Sequence, residues 1–145
     1  MSDELNGWSP RGPVTELSEA DCWSLLAANT FGRLGLIDGD RPDIFPIYYQ
    51  TDGGSIVFRT GTGTKSRELL ENGSVVLEID EVAEHGSWSV VLRGAAEFLT
   101  APEEIEAADL LALPDWIPVT TYAYVRIRPS AVRGRRFLRH VHVGR

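Results

Sequence analysis

Arg59, Lys65 and Arg67 fall within nine residues of the stretch IVFRTGTGTKSREL (56–69), interleaved with Thr60, Thr62, Thr64 and two glycines. Lys65 is the only lysine in the chain; the other basic residues are arginines. Guanidinium forks, an ammonium and threonine hydroxyls together suit phosphate oxygens. The local pattern supports this. Ile56, Val57 and Phe58 read as a strand, Gly61-Thr62-Gly63 as a turn, and Lys65 onward as the start of a helix with Thr64 as its N-cap. A helix start is already electropositive and prefers acids, and its unpaired N–H groups bind anions. Basic side chains gathered there point to a seated anion. The stretch is not a Walker loop, because Thr64 stands where that motif needs glycine before the lysine. On these residues alone two readings stand: a phosphate seat, or a solvated strand-to-helix turn with scattered arginines.

Other chemistry-bearing residues are sparse. His85 lies in a charged turn, and His140 and His142 stand two apart in a tail read as mobile. No Cys/His spacing reads as zinc, and no metal is expected. Cys22 is the single cysteine; it excludes an internal disulfide and falls in a helical pattern that suggests packing. Glu78, Asp80, Glu81 and Glu84 form a charged strand end, read as solvated or as partners of the basic tail.

The elements that must position these groups follow from periodicity. SEADCWSLLAAN (18–29) predicts a helix, with Ser18 and Asp21 resembling a capping box and with Cys22, Leu25, Leu26 and Asn29 on one face. The period then changes to two. FGRLGLID, PDIFPIYYQ and SIVFRT read as strands separated by the turns DGDR and TDGG. Pro46 inside the second of these marks an edge, a bulge, or a strand whose outward face meets something else. A short helix over 65–72 ends at Asn72-Gly73. SVVLEID and SWSVVLRGAAEFLT are further strands, with Gly94 as a bulge or bend. APEEIEAADLLAL is a helix with Pro102 near its start and acids in its first turn, and TYAYVRIRPS is a sixth strand. Tyr122, Tyr124, Arg126 and Arg128 share one face of that strand. Six mostly adjacent antiparallel strands with short flanking helices predict a mainly β (α+β) small barrel or strongly curled sheet.

Composition bounds the rest. With 145 residues and 43% hydrophobic content the chain reads as one globular domain. It has no apolar run long enough for a membrane span and no signal-peptide pattern, so the cytoplasm is the expected location. The net charge is −7, yet the last twenty residues hold seven arginines and no acid. An acidic body argues against nucleic-acid binding; the basic tail suits a phosphorylated ligand or the acidic body of a partner subunit. The organisation expected is a flexible arm over 1–15, a domain over 16–137 and a basic tail over 138–145.

The order of motifs resembles the pyridoxamine 5′-phosphate oxidase-like family of FMN-binding split barrels, in its small actinobacterial and nitroimidazole-reductase-like branches. The motifs are a capped helix, FGRLGL, PDIFPIYYQTDGGSIVFRTGTGTK, SVVLEID, WSVVLRGAAEFL, YVRIRP and GRRF, spread over roughly 16–137. The resemblance implies a six-stranded split barrel that forms a homodimer, with FMN in clefts between subunits. It assigns the FMN phosphate by position to Arg59, Thr60, Thr64 and Lys65; Ser66 and Arg67 are the next candidates. It places Pro46, Ile47 and Tyr48 beside the flavin ring, where backbone groups would meet the ring's polar edge. From residues alone, one of Tyr48 and Tyr49 faces the core and the other solvent. Trp88 approaches the flavin from the other subunit, or is an ordinary interface or core tryptophan. Arg93 reaches a ligand or a carboxylate across the dimer, or makes a structural ion pair. The function implied is an FMN-dependent oxidoreductase acting on a small molecule, with no dedicated catalytic side chain. The alternatives are a deazaflavin- or haem-binding protein, or a flavin-binding module without turnover. The tail GRRFLRHVHVGR does not match the substrate-binding segment of a true pyridoxamine phosphate oxidase, and no histidine stands in the phosphate loop as it often does in the nitroimidazole branch.

Overall fold

The period-two stretches become strands, and they close into a ring. The computed structural model describes residues 14–61, 67–68, 70–71, 73–84, 86–113 and 122–138. Its elements run β1 (Val14–Leu17), α1 (Glu19–Ala28), β2 (Phe31–Asp38), β3 (Arg41–Thr51), β4 (Ile56–Gly61), β5 (Ser74–Ala83), β6 (Gly86–Phe98), α2 (Pro102–Asp109) and β7 (Tyr122–Leu138). The sheet order is β1-β7-β4-β3-β2-β5-β6, and an additional β7–β6 pairing shuts the six strands β2 to β7 into a barrel. Closure pairs β6 with β7, two edges that would otherwise template aggregation.

β1 is a strand beyond the six expected. It pairs with Gly134–Phe137 of β7, so Val14 and Thr15, read as the end of an arm, belong to the sheet. β7 is also longer than the ten residues TYAYVRIRPS, because β6 offers it a partner all the way from Phe98↔Val125 to Gly86↔Leu138. Pro129, which has no N–H to donate, sits opposite Gly94 where the β6–β7 register shifts. The bulge expected at Gly94 is therefore there.

Local chemistry fixes the remaining joints. Ser18 Oγ accepts from the Asp21 N–H at 3.1 Å, capping α1. The β3–β4 hairpin turns through Gly53 and Gly54, both at positive φ (57° and 78°), as a tight two-residue turn requires. Arg126 bonds Asp52 at 3.1 Å and Ser55 Oγ at 2.6 Å, tying this turn to β7. The 65–72 helix is seen in part: Arg67, Glu68 and Leu70 are helical, and Glu71 N–H donates to Arg67 O at 2.9 Å.

Inward positions of every barrel strand share one core with α1. Cys22 and Leu26 from the helix, with Leu34, Tyr49, Phe58, Leu77, Leu92 and Ile127, are fully or almost fully buried in one core. The Tyr49 hydroxyl, which could not be left unpaired there, donates to Leu26 O at 2.8 Å. A second, smaller core lies outside the barrel, where Val57, Leu99, Ala108 and Tyr124 pack beneath α2. Glu78 and Asp80, read as solvated or as partners of the tail, are instead held by Arg33 on the barrel's outer face, at 2.7 and 3.2 Å.

Candidate functional site

The barrel is split between β3 and β4, and the split sets Pro46, Ile47 and Tyr48 opposite Arg59 and Thr60. The β3–β4 ladder covers only Tyr49↔Phe58, Gln50↔Val57 and Thr51↔Ile56. Beyond it β4 turns away to continue along β7, with Arg59↔Tyr124, Thr60↔Ala123 and Gly61↔Tyr122. β3 stays with β2, with Tyr48↔Phe31, Ile47↔Gly32 and Pro46↔Arg33. Two lips result: Pro46, Ile47 and Tyr48 on one, Arg59, Thr60 and Gly61 on the other.

The lips present different chemistry. The Tyr49 N–H donates back to Thr30 O at 2.9 Å, on the β2 side, so ladder alternation turns the backbone groups of residues 46 and 48 toward the split. Proline at 46 is compatible with that edge because no ladder bond is asked of its nitrogen. Side chains alternate as well. Ile47 and Tyr49 point into the core, whereas Pro46 is exposed and Tyr48 half-buried on the outer face. Tyr48 rests against Phe31, with ring centroids 4.8 Å apart at 57°. The two tyrosines thus divide as the residue reading expected, and Ile47 can serve a ligand only through its backbone.

On the facing lip, Arg59 continues the outward row begun by Val57. Its Nη2 donates to Leu113 O at 3.3 Å, and its guanidinium lies 4.9 Å over the Tyr122 ring. Tyr122 in turn meets Tyr124 edge-on at 5.5 Å. Tyr124 donates to Asp109 Oδ1 at 2.5 Å, which pins α2 to β7. Burial first, and then the adjacent Asp109 and Tyr122, hold the Tyr124 phenol well above its ordinary value. The hydrogen bond and the aromatic stack orient the plane of the Arg59 fork. Thr60 alternates to the other side, in line with core residues Ile56 and Phe58, and ends half-buried at the barrel mouth. Beside Gly61 no heavy atom stands within 4 Å of where a Cβ would lie, among the described residues. An oriented guanidinium and a hydroxyl at one lip, with a flat, partly apolar strand at the other, suit a planar ligand carrying an anion.

The other expected residues are not all described. Thr64, Lys65 and Ser66 fall outside the described residues, as do His85, His140 and His142. Arg67 lies with its guanidinium 4.4 Å over the Phe98 ring. Trp88 lies on β6, three strands from the β3 lip. It pairs with Glu81 and Arg136, donates to Glu81 Oε1 at 3.0 Å, and packs partly on the core. Ten residues of β6 separate it from Phe98, whose partner Val125 adjoins the Arg59 lip, whereas nearby Val91 is in register, through Glu78 and Arg33, with Pro46 of the other lip. Sequence reasoning missed Tyr122 and Leu113 as supports of Arg59; the only signal available was the shared face of Tyr122 and Tyr124. Among the described residues no group of three His, Cys, Asp or Glu side chains could hold a metal, and no helix is long and apolar enough to cross a membrane.

Residues 18–136 match the sequence family described as pyridoxamine 5′-phosphate oxidase. The chain belongs to that family. An uncharacterized protein of Rhizobium meliloti is 33% identical over 110 residues, 71% of this chain and 73% of that one. Among solved structures, a candidate pyridoxamine 5′-phosphate oxidase from Corynebacterium glutamicum has a TM-score of 0.80 and 39% identity, covering 87% of this chain and 99% of its own. A protein of Mycobacterium smegmatis described as FAD binding has a TM-score of 0.79 and 31% identity, covering 87% of this chain and all of its own. These two structures share the chain's split-barrel architecture.

Proposed function

We propose that this family member is an FMN-binding protein and an oxidoreductase acting on a small molecule. The observation that carries the proposal is the split between β3 and β4, whose lips hold Pro46, Ile47 and Tyr48 against Arg59 and Thr60. The likeness to an FAD-binding relative supports a flavin, since both flavins share the ring and the first phosphate. Arg59 offers that phosphate a fork of donors and Thr60 a hydroxyl; Lys65, by its place in the sequence, adds an ammonium. Residues 46–48 offer backbone groups to the polar edge of the ring, and Pro46 and Tyr48 shape the wall beside it. When bound, the flavin would supply hydride and electron transfer between a reduced donor and an acceptor; the protein supplies binding and orientation.

The proposal includes a homodimer. Phe31, Ile37 and Ile44 are large apolar residues exposed on the outer face of β2 and β3, and Ile37 and Ile44 line a groove of about 780 Å³ with Pro42 and Val76. Exposed apolar area of this kind is a subunit contact in the making. It would also give Trp88 a route to the split of the partner.

The deciding test is a visible absorption spectrum of the purified protein before and after adding FMN, alongside Arg59→Ala and Lys65→Ala. Flavin bands in the native protein, weakened in both variants, are the expected result, followed by bleaching under NADH or NADPH. Failure to hold or recruit FMN refutes the assignment, and a Soret band would reassign the site to haem. A monomeric mass at micromolar concentration refutes the dimer.

A further inference from the structure

α2 lies over β4 and β7, beside the lip that carries Arg59, and it is a weak helix by itself. It has eight residues, and its N-cap, Ala101, offers no side-chain bond. A helix so short does not persist alone in water, so its place depends on what it docks on. Ile105 and Ala108, with Leu111 and Leu113 beyond its end, pack against Val57, Leu99 and Tyr124. Its last residue is clasped as well: the buried Tyr124 hydroxyl donates to Asp109 Oδ1 at 2.5 Å.

That clasp leads to Arg59 by two routes. Along the chain, Leu110 N–H donates to Ala107 O at 3.1 Å, Leu111 N–H to Ala108 O at 3.0 Å and Leu113 N–H to Leu111 O at 2.9 Å. These tight turns carry the position of α2 forward to Leu113 O, which accepts from Arg59 Nη2 at 3.3 Å. Across the sheet, Tyr124 is the ladder partner of Arg59 and meets Tyr122 edge-on, and the guanidinium lies 4.9 Å over the Tyr122 ring. Tyr124 thus touches both supports of the arginine, α2 through its hydroxyl and Tyr122 through its ring.

We infer that Asp109, Tyr124 and Tyr122 are positioning residues for the phosphate-binding arginine, and that docking of α2 and binding of the phosphate strengthen each other. The inference rests on the flavin reading of the split. A long side chain left mobile must be immobilised when the anion arrives, which weakens affinity about two- to tenfold. A fork already held in plane avoids that loss. Linkage makes the effect mutual: an anion that holds Arg59 also holds Leu113 and α2 in place. A clasp that served only the fold would stabilise the chain without favouring a phosphorylated ligand.

Fluorescence titration of the full chain with FMN and with riboflavin, which lacks the phosphate, separates these roles. The native chain should prefer FMN. Asp109→Ala and Tyr124→Phe should each lower FMN affinity about two- to tenfold and leave riboflavin affinity unchanged, which also reports an intact barrel. Tyr122→Leu should do the same, whereas Tyr122→Phe, which keeps the ring, should match the native chain. In an Arg59→Ala background, Asp109→Ala should have no further effect on FMN, because both routes end at the arginine. Hydrogen exchange over 102–113 should slow with FMN and not with riboflavin. A native chain that binds neither flavin, or both equally, refutes the phosphate reading of the split and this inference with it. A native preference for FMN that survives Asp109→Ala and Tyr124→Phe overturns this inference alone. So does an Asp109→Ala penalty undiminished by Arg59→Ala, an equal loss of both flavins, or exchange over 102–113 that FMN leaves unchanged.

Discussion

Replacing Gly134 by alanine tests how α1 is seated in the barrel. A Cβ at position 134 would stand 2.7 Å from Cys22 Sγ, 3.0 Å from Leu17 Cδ1 and 3.2 Å from Ser89 O, all inside ordinary contact distance. The strand cannot easily yield, since β7 is paired here with β1 on one side and β6 on the other. The helix must give instead, and Cys22 is fully buried among residues that leave it no room. Overpacking of this kind costs about 1–3 kcal/mol. The closest clash is with one sulfur atom, and removing it supplies the control. Cys22→Ala should itself destabilise modestly, but in that background Gly134→Ala should lose about half its penalty or more, a coupling of roughly 0.5–2 kcal/mol between contacting sites. The Leu17 methyl is the tip of a flexible side chain and can swing aside. Urea unfolding of the four proteins, followed by tryptophan fluorescence at constant m, measures the cycle. If Gly134→Ala matches the wild type, or its cost is unchanged by Cys22→Ala, the packing account of α1 on β7 is wrong.

Three further outcomes are expected. Tyr49→Phe leaves Leu26 O without its buried donor and should cost about 1–2 kcal/mol in the same urea assay. Burial holds the Tyr49 phenol well above its ordinary value, so the folded chain keeps a proton that the unfolded chain releases near pH ~10. Stability from this group is complete below that pH and falls as pH rises beyond it; Tyr49→Phe should flatten the decline measured by unfolding at stepped alkaline pH. Arg126→Met strips the charged partner from Asp52 and a buried bond from Ser55, and should lower stability by about 2–3 kcal/mol, read as a shift in urea midpoint. Arg59→Lys keeps charge but not the fork, so FMN affinity by fluorescence quenching should fall about tenfold while urea stability changes little.

The stretch 56–69 suggests a phosphate seat through residue types alone: arginine, lysine and threonine beside glycines need no fold to raise that reading. Period-two patterning located β2 to β6 and the start of β7, because an outward polar and inward apolar row is written directly in FGRLGLID and SVVLEID. The glycine turn at 53–54 and the Ser18 cap were equally visible, since each depends on a residue's own backbone or side-chain preference. Long-range pairing lies beyond such signals. Nothing in VRGRRF says that β6 will carry it on as strand to Leu138, or that β1 will line up beside it, because a strand's partners are chosen by the whole barrel. Nor does any local pattern say that the β3–β4 ladder stops at Tyr49↔Phe58; the split arises because β4 finds β7. That divergence sets Arg59 and Thr60 across an open split from Tyr48 and Ile47. In the same way Arg93 and Arg133, forty residues apart in the chain, become neighbours only through the β6–β7 register. The sequence by itself determined the kinds of groups available and the local elements that carry them. Only the tertiary structure decided which of them face each other, since register and strand order are set by burial of the common core and not by any one segment.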